Sequence, residues 1–366
     1  MFPYLIAFFI SLFATHNASK YKTRSLLFYI HSCFAILPLL IITAYRDATV
    51  GTDTENYIHL FENCSSYKAD LWSYILLNPT FEIGFLCYNF VIAQKILSVE
   101  VYYIITYGII LGLIYGSAFK LKRYISPTIF IFVYLLLFYS DSLNVMRQYI
   151  AVSFVVLAIA NLFTDKNTKY IFWTIIAFFF HSSALISIGI GITYWIIKKY
   201  PVHKHKFLFL IICIAVLCIG LSISFFANVG LLPTFEEKMS NHMNNANSGG
   251  ISSSHIVTCL CTLIFLFYNH KNFNRNTISE TMLMITIFTM LFYLSPSMNA
   301  ILYRLTIYFN VITCFSISYA YKNNKKKNNR VFVISLLILY MLFYIYSIVI
   351  SGTNEVVPYS SSILGI

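Results

Sequence analysis

The feature that most constrains this chain is the alternation of long apolar runs with short basic clusters. A run of about 20 apolar residues can cross a bilayer as a helix, whereas ionisable side chains inside the bilayer are costly. Hydrophobic residues make up 59% of the 366 residues and charged residues only 10%, unlike a soluble domain of this size. The pattern predicts an all-α, polytopic integral membrane protein. We expect one transmembrane domain over residues 1–366, with roughly 11–13 transmembrane helices including short or re-entrant ones.

The basic clusters orient these helices, because loops rich in Lys and Arg stay in the cytoplasm. Placing the clusters inside predicts an uncleaved first helix with its N-terminus outside. It also predicts an external loop at 46–80, a flexible external loop at 228–254 and an external C-terminal tail at 351–366. The clusters hold 19 of the 25 Lys and Arg residues, at positions 20–24, 120–123, 166–169, 198–206, 271–275 and 322–330. The net charge of +12 therefore indicates loops that meet anionic lipid, not nucleic acid.

One region does not fit the alternation. A chain that is outside at residue 80 and inside at residue 120 crosses an odd number of times, yet 81–97 and 101–119 look like two crossings. Either 81–97 is a re-entrant or interfacial helix, or 70–78 helps to form another crossing. The first is favoured because Glu82 and Lys95 would be costly in lipid but acceptable beside a polar cavity. Several other apolar segments are also short, which predicts an outward-facing polar cavity.

The densest polar stretch in the chain is RDATVGTDTENY, at 46–57. Gly51 and Thr52 suit a turn that lets backbone amides approach a ligand. Asp53 and Glu55 have a spacing that could hold a divalent cation through oxygen ligands, but ordinary loop acids show the same spacing. Asp47 is a third carboxylate in the stretch.

Three isolated arginines lie near the predicted outer ends of helices: Arg46, Arg147 and Arg304. Each guanidinium can donate two parallel hydrogen bonds, so three of them at one depth could clamp a phosphate or pyrophosphate. The alternative is that each arginine extends to the interface or pairs with an acid such as Asp141 or Glu82.

His181, in AFFFHSSAL, is a lone histidine among apolar residues. It is either a helix-contact residue with its hydrogen bonds satisfied, or a neutral imidazole that acts as a general base or donates to a sugar. Glu82, in PTFEIGF, is either a helix cap or a site acid. P-loop, GxSxG, HExxH and CxxC motifs do not occur in the sequence, which excludes the common ATPase, serine hydrolase, zinc protease and thiol-redox classes.

Five motifs occur in a fixed order: RDATVGTDTENY at 46–57, FEIGF at 81–85, NVMRQYIA at 144–151, FHSSALI at 180–186 and YRL at 303–305. In that order they resemble the EpsG-like branch of the Wzy-type bacterial polysaccharide (O-antigen, capsule or exopolysaccharide) polymerases. The first and third motifs are fairly specific.

The resemblance implies a multi-pass glycosyltransferase of the bacterial inner (cytoplasmic) membrane with its active site facing the periplasm. Such enzymes join oligosaccharide repeat units carried on undecaprenyl pyrophosphate and release that lipid. The lipid-linked oligosaccharide is both donor and acceptor. Membrane lipid is a further implied partner, as are a chain-length regulator and a flippase of the same pathway, with no nucleic acid, cofactor or metal.

By its matched motifs, the chain would hold pyrophosphate with Arg46, Arg147 and Arg304. His181, Asp53 or Glu82 would orient or deprotonate the acceptor. The other implied substrate-binding residues are Asp47, Gly51, Thr52, Tyr57 and Gln148. Pyrophosphate is already a good leaving group, so neutralising its developing charge and positioning the acceptor hydroxyl are the main tasks.

Two other functions compete with this one. A polyprenyl-phosphate-dependent glycosyltransferase or an O-antigen ligase would also place acids and arginines in outer loops of a many-helix fold. A lipid-linked oligosaccharide transporter belongs to another class, and it should carry cationic residues through the midplane and show inverted repeats. In this sequence the isolated charges collect at one predicted face.

Overall fold

The computed structural model describes residues 1–66, 70–96, 98–228, 253–269, 276–294, 300–323 and 327–366. Throughout this part of the chain the regular structure is helical and no strand occurs, so the all-α class is confirmed. Three helices are long and apolar enough to cross a membrane: Leu26–Ala44, Val99–Lys120 and Arg330–Ile350. Several shorter apolar helices accompany them, as a polytopic membrane protein requires. The count of 11–13 helices and the outward-facing cavity stay predictions.

The chain divides into two compact units. The first comprises Met1–Leu185 with Leu337–Ile366, and the second Ile186–Leu336. The helices that lie wholly in the first unit are α1 (Phe2–Ala18), α2 (Leu26–Ala44), α3 (Thr54–Ser66), α4 (Leu71–Leu77), α5 (Ile83–Ala93), α6 (Val99–Lys120), α7 (Pro127–Leu137), α8 (Tyr139–Asn144), α9 (Met146–Leu162) and α10 (Asn167–Phe180). The single domain over 1–366 stays a prediction.

In the first unit, α6 packs against both α2 and α9, α9 packs against α10, and α1 packs against α2 and α7. Buried tyrosines fix α6 to its neighbours. The Tyr115 hydroxyl hydrogen-bonds to Ser11 of α1, and the Tyr107 hydroxyl donates to the Ser142 carbonyl at 2.7 Å. A buried tyrosine contributes a large apolar ring but needs a partner for its hydroxyl, so these bonds fix the register of α6 as well as its contact.

The predicted external loop at 46–80 contains two helices, α3, which was not predicted, and α4, whose segment was considered only as part of a further crossing. Asp70 caps α4, since its side chain accepts a hydrogen bond from the backbone N–H of Ser73 at 2.6 Å. The following helix, α5, has 11 residues and is therefore about 17 Å long, shorter than a bilayer core. Its re-entrant or interfacial placement stays a prediction.

The helices of the second unit are α11 (Ile188–Lys199), α12 (Lys206–Asn228), α13 (Ser253–Asn269), α14 (Thr277–Tyr293), α15 (Ala300–Asn310) and α16 (Ile312–Asn323). Helix α14 packs against the other five. The apolar run over 300–320 is long enough for one helix, but the structure breaks it at Val311, where three β-branched residues in succession lower helix propensity. The predicted flexible loop at 228–254 lies, apart from its ends, outside the described residues.

Helix α17 (Lys327–Ile345) continues through a π-helical turn, Tyr346–Ile350, into the C-terminal tail. The tail, residues 351–366, folds back and hydrogen-bonds to the backbone of residues 45–51. Val356 and Ser361 are almost completely buried in this contact. The tail therefore belongs to the same compact unit as the polar stretch at 46–57.

Candidate functional site

The conformation of the FEIGF motif depends on Gly84. A Cβ atom at Gly84 would lie 2.5 Å from the Phe179 carbonyl oxygen, closer than any real contact, so only glycine allows α5 to lie against the last turn of α10. This approach brings Glu82, directly before α5, to the residues that follow α10. The Glu82 Oε1 atom accepts hydrogen bonds from the Ser182 backbone N–H at 3.0 Å and from the Ser182 hydroxyl at 3.1 Å.

Glu82 also forms an ion pair with Arg147, and the distance from Oε2 to Nη1 is 2.8 Å. Both side chains are largely buried, at 19% and 17% exposed. Arg147 lies in the first turn of α9, where the helix dipole disfavours a cation, so the carboxylate offsets that cost. Burial raises the pKa of Glu82, but Arg147, His181 and the Ser182 N–H outweigh it and hold the pKa below its usual value.

His181 ends α10 with an extended backbone. Its Nδ1 atom accepts a hydrogen bond from the Ser183 N–H at 3.3 Å and lies 2.7 Å from the Ser183 hydroxyl. A ring nitrogen that accepts from an N–H carries no proton, so the neutral ring has its proton on Nε2. Glu82 Oε1 lies 3.9 Å from the same Nδ1 atom. In this tautomer, His181 presents a donor rather than a base at Nε2.

Arg46 follows α2 and is almost completely buried, at 6% exposed. Its guanidinium lies over the rings of Tyr103 and Tyr107 of α6, with Cζ at 4.8 and 5.5 Å from the ring centroids. Nη2 donates to the Leu143 carbonyl at 3.1 Å. The side chains of Tyr103 and Tyr107 also hydrogen-bond to the guanidinium. Within the described part of the chain, no carboxylate forms an ion pair with Arg46.

Both arginines contact the junction of α8 and α9. Arg46 binds the Leu143 carbonyl, and Arg147 lies four residues further along the chain. The N-terminus of α9 adds the partial positive charge of its helix dipole. The arrangement therefore concentrates positive charge at this junction. Among the described residues, only Glu82 offsets this charge by a direct ion pair. An excess of positive charge at a helix N-terminus favours the binding of an anion.

Gly51 has φ of +100°, a conformation that favours glycine. A Cβ atom there would lie 2.6 Å from Asn144 Oδ1 and 2.8 Å from the Thr54 hydroxyl oxygen. The glycine thus lets the 46–53 turn lie directly against the end of α8. The predicted close approach of backbone at Gly51 is observed, but the group it approaches is Asn144.

The remaining predicted residues of the first unit have different surroundings. Thr52 is exposed, and Asp47 binds the C-terminal tail. Asp53 precedes α3 and acts electrostatically on Tyr57, and burial raises the pKa of Tyr57 to about 12. The Tyr57 hydroxyl lies 3.5 Å from the Arg147 backbone nitrogen. Gln148 is buried in α9.

Arg304 lies on α15 in the second unit. Its membership of a three-arginine clamp stays a prediction. Glu55 is exposed and lies 3.5 Å from His59, one turn along α3.

Sequence reasoning missed several groups of the site. Ser182 and Ser183 stand beside His181 in the HSSA motif, so that motif contained a signal for them. Tyr103 and Tyr107 have no such signal, because they lie in an apolar helix that contains other tyrosines and nothing in the sequence distinguishes them. Asn354, which donates to Asp141 Oδ1 at 2.7 Å, is 213 residues away from its partner in sequence.

The all-helical structure, with membrane-length helices and several shorter apolar ones, defines the class of this protein as a polytopic membrane protein. The sequence profile of the EpsG family matches residues 29–361, nearly the whole length. The chain belongs to the EpsG family, a Wzy-type polysaccharide polymerase family. No curated protein and no solved structure matches the chain significantly.

Proposed function

We propose that this protein polymerises undecaprenyl-pyrophosphate-linked oligosaccharide repeat units at the periplasmic face of the bacterial inner membrane. The family supports a polysaccharide polymerase in general, acting on lipid-linked oligosaccharides. The finer steps are the proposal. The acceptor hydroxyl attacks the anomeric carbon of the growing chain, the bond from that carbon to the pyrophosphate oxygen breaks, and undecaprenyl pyrophosphate leaves with the bonding electrons.

The observation that carries the proposal is the buried guanidinium of Arg46. A buried charge without a charged partner is strongly unfavourable, and tyrosine side chains and one carbonyl offset only part of its lost hydration. An anionic group bound to the guanidinium would remove this cost. A pyrophosphate oxygen suits this geometry because a guanidinium donates in a planar fork.

Arg147 would bind the same pyrophosphate from the start of α9. Its ion pair with Glu82 holds the side chain in place before substrate arrives, so little ordering is needed on binding. Charge that develops on the leaving group is then neutralised by the arginines without a metal ion. Arg304 would be a third member of this clamp.

The proton of the acceptor hydroxyl requires a base, and the geometry separates the three candidates. Glu82 has a lowered pKa and is occupied by Arg147 and Ser182, which makes it a weak base. His181 accepts at Nδ1 and presents Nε2–H, which suits a hydrogen bond to a sugar hydroxyl. Asp53, beside Tyr57, is the carboxylate to which we assign the proton. Exchange of Asp53 for Asn should lower the rate on the order of 10²-fold or more.

The test uses purified protein with its lipid-linked repeat unit, and product length is read on a gel. Long polymer formed in the presence of EDTA supports a metal-independent polymerase. Addition of a single sugar, or full loss of activity with EDTA, would instead favour the polyprenyl-phosphate-dependent glycosyltransferase or the ligase. Transport of the unit without any new glycosidic bond would favour a flippase.

Asp53→Asn and Thr49→Ala form a matched pair for the base. Both lie in the turn before α3, but Thr49 is exposed and has no titrating group. Loss of polymer in the first variant and its retention in the second support the assignment. Equal rates in Asp53→Asn and the unaltered protein would contradict it. Chain-length regulators and flippases of the same pathway are the proposed cellular partners.

A further inference from the structure

The C-terminal tail binds the chain on both sides of Arg46. The Ser361 hydroxyl donates to the carbonyl oxygen of Tyr45, the residue before Arg46. The residue after it, Asp47, donates its backbone N–H to the Ser360 carbonyl at 3.1 Å. The Asp47 carboxylate accepts from both the N–H and the hydroxyl of Ser362, each at 2.8 Å. These bonds hold the pKa of Asp47 below its usual value.

The same tail binds the segment that receives the guanidinium. The Asn354 side chain donates to Asp141 Oδ1 at 2.7 Å, and the Asn144 side chain donates to the Asn354 carbonyl at 3.0 Å. Asp141 and Asn144 belong to α8, whose Leu143 carbonyl accepts from Arg46. A further bond joins the Gly51 N–H to the Glu355 carbonyl at 3.0 Å.

The tail is held in place by its own buried side chains. Val356 is completely buried, and the ring of Tyr359 meets the ring of Tyr4 in α1 edge to face, with centroids 5.5 Å apart. The backbones of Ser361 and Ile366 also exchange two hydrogen bonds, which close the end of the tail. A segment anchored in this way can restrain the residues that it contacts.

We infer that residues 353–362 form a strap that positions Arg46 for the anion, with Asn354 and Ser362 as positioning residues. The strap holds the backbone of Arg46 from one side and the α8 acceptor of its side chain from the other. The guanidinium is held locally by the Leu143 carbonyl and the rings of Tyr103 and Tyr107. This distant part of the chain restrains both the backbone beside Arg46 and the helix that carries that carbonyl. The inference rests on the proposed function for the identity of the anion.

The test uses the full-length protein in detergent with two measurements. Hydrogen exchange of residues 47–51 reports on the strap itself, because the Asp47 and Gly51 amides donate to it. Binding of inorganic pyrophosphate reports on Arg46. The variant Asn354→Gly keeps the left-handed backbone at φ +72° and the carbonyl that accepts from Asn144, but loses the bond to Asp141. It is combined with Ser362→Ala, which loses the hydroxyl bond to Asp47.

We expect exchange at 47–51 to become faster and pyrophosphate to bind more weakly, each on the order of tenfold, with the melting temperature little changed. The triple variant that combines Arg46→Met with both strap substitutions should then bind pyrophosphate as weakly as Arg46→Met alone. The matched control is Ile363→Ala, in the same tail but 59% exposed, which should alter neither measurement.

Unaltered exchange in the strap variant would overturn the inference. So would faster exchange with unaltered pyrophosphate binding, because the strap would then not position Arg46. Failure of the unaltered protein to bind pyrophosphate would instead count against the proposed function. The exchange measurement would still show whether the strap holds residues 47–51.

Discussion

Arg46 and Arg147 contact the same helix junction but have opposite electrostatic surroundings. Arg147 is partly exposed and its charge is offset by Glu82 at 2.8 Å. Arg46 is more deeply buried, and tyrosine rings and a carbonyl surround it in place of a carboxylate. Both arginines lie in polar sequence motifs, so membership of such a motif does not show whether an arginine can bind a further anion. Under the proposed function, we therefore expect Arg46 to contribute the larger share of anion binding, and Arg147 to contribute also to the stability of the fold.

The largest expected effect comes from Arg46→Met. Polymer formation should fall roughly 10²- to 10³-fold, as when a preorganised donor to a developing charge is removed. The melting temperature should stay the same or rise, because an unpaired buried charge is replaced by an apolar side chain of similar length. Initial rates and thermal melts in detergent measure both. A clear drop in melting temperature would mean that Arg46 is structural, and the contrast with Arg147 would then be lost.

Arg147→Ala should lower both the activity and the stability of the protein. We expect long polymer to fall roughly 10²-fold, with melting lowered by an amount equivalent to about 2 kcal/mol, because Glu82 is left buried without its partner. The double variant with Glu82→Gln removes the stranded carboxylate and should recover most of the stability but not the activity. Recovery of activity in the double variant would show that Arg147 serves only to neutralise Glu82.

A smaller effect is expected at His181, which lies close to Glu82, the partner of Arg147. Gln places an amide near the position of Nε2, whereas Asn places it near Nδ1. If His181 donates from Nε2–H, then His181→Gln should keep about a tenth of the activity and His181→Asn much less. The polymerisation rates of the two variants are compared once thermal melts have shown that both variants have the same melting temperature. Equal and complete loss in both would point to a general base at His181.

The smallest effect concerns the pH dependence of stability. The lowered pKa of Glu82 means that its pairing contributes fully above the ordinary glutamate pKa of about 4.3 and is lost as pH falls through the lower folded value. The difference in melting temperature between the unaltered protein and Glu82→Gln should therefore be constant from neutral pH to about 5 and shrink below that. A difference that grows on acidification would contradict the assigned direction of the pKa shift.

The helical class could be predicted because it follows from local apolar runs. The polar stretch at 46–57 was identified from its unusual density of charge. By contrast, α3 was missed because a polar segment of 13 residues gives no membrane-length signal, and the segment that forms α4 was considered only as part of a further crossing. The break at Val311 was hidden inside a continuous apolar run.

Part of the site could also be predicted, since Arg46, Glu82, Arg147 and His181 all lie in motifs. Their partners could be predicted only in part. Glu82 stood among the possible acid partners of the arginines, but nothing in the sequence selects Arg147, 65 positions away, as the arginine that pairs with it. The tail joins Asn354 to α8 across more than 200 positions. Contacts of this range depend on how helices pack, and a single sequence records the helices but not their neighbours.

The clash that a side chain would meet at Gly84 has a consequence for mutational tolerance. In a scan of every substitution, position 84 should behave like a charged site residue, although glycine contributes no reactive group, because any Cβ atom separates α5 from α10. At Gly108, Gly112 and Gly116 of α6, an added Cβ would meet no described group within 4 Å apart from the adjoining backbone of the helix itself, so alanine should be accepted at all three. Under selection for function, variants at Gly84 should then be lost as completely as variants at Arg46. A glycine would thus be one of the most sensitive positions of the protein.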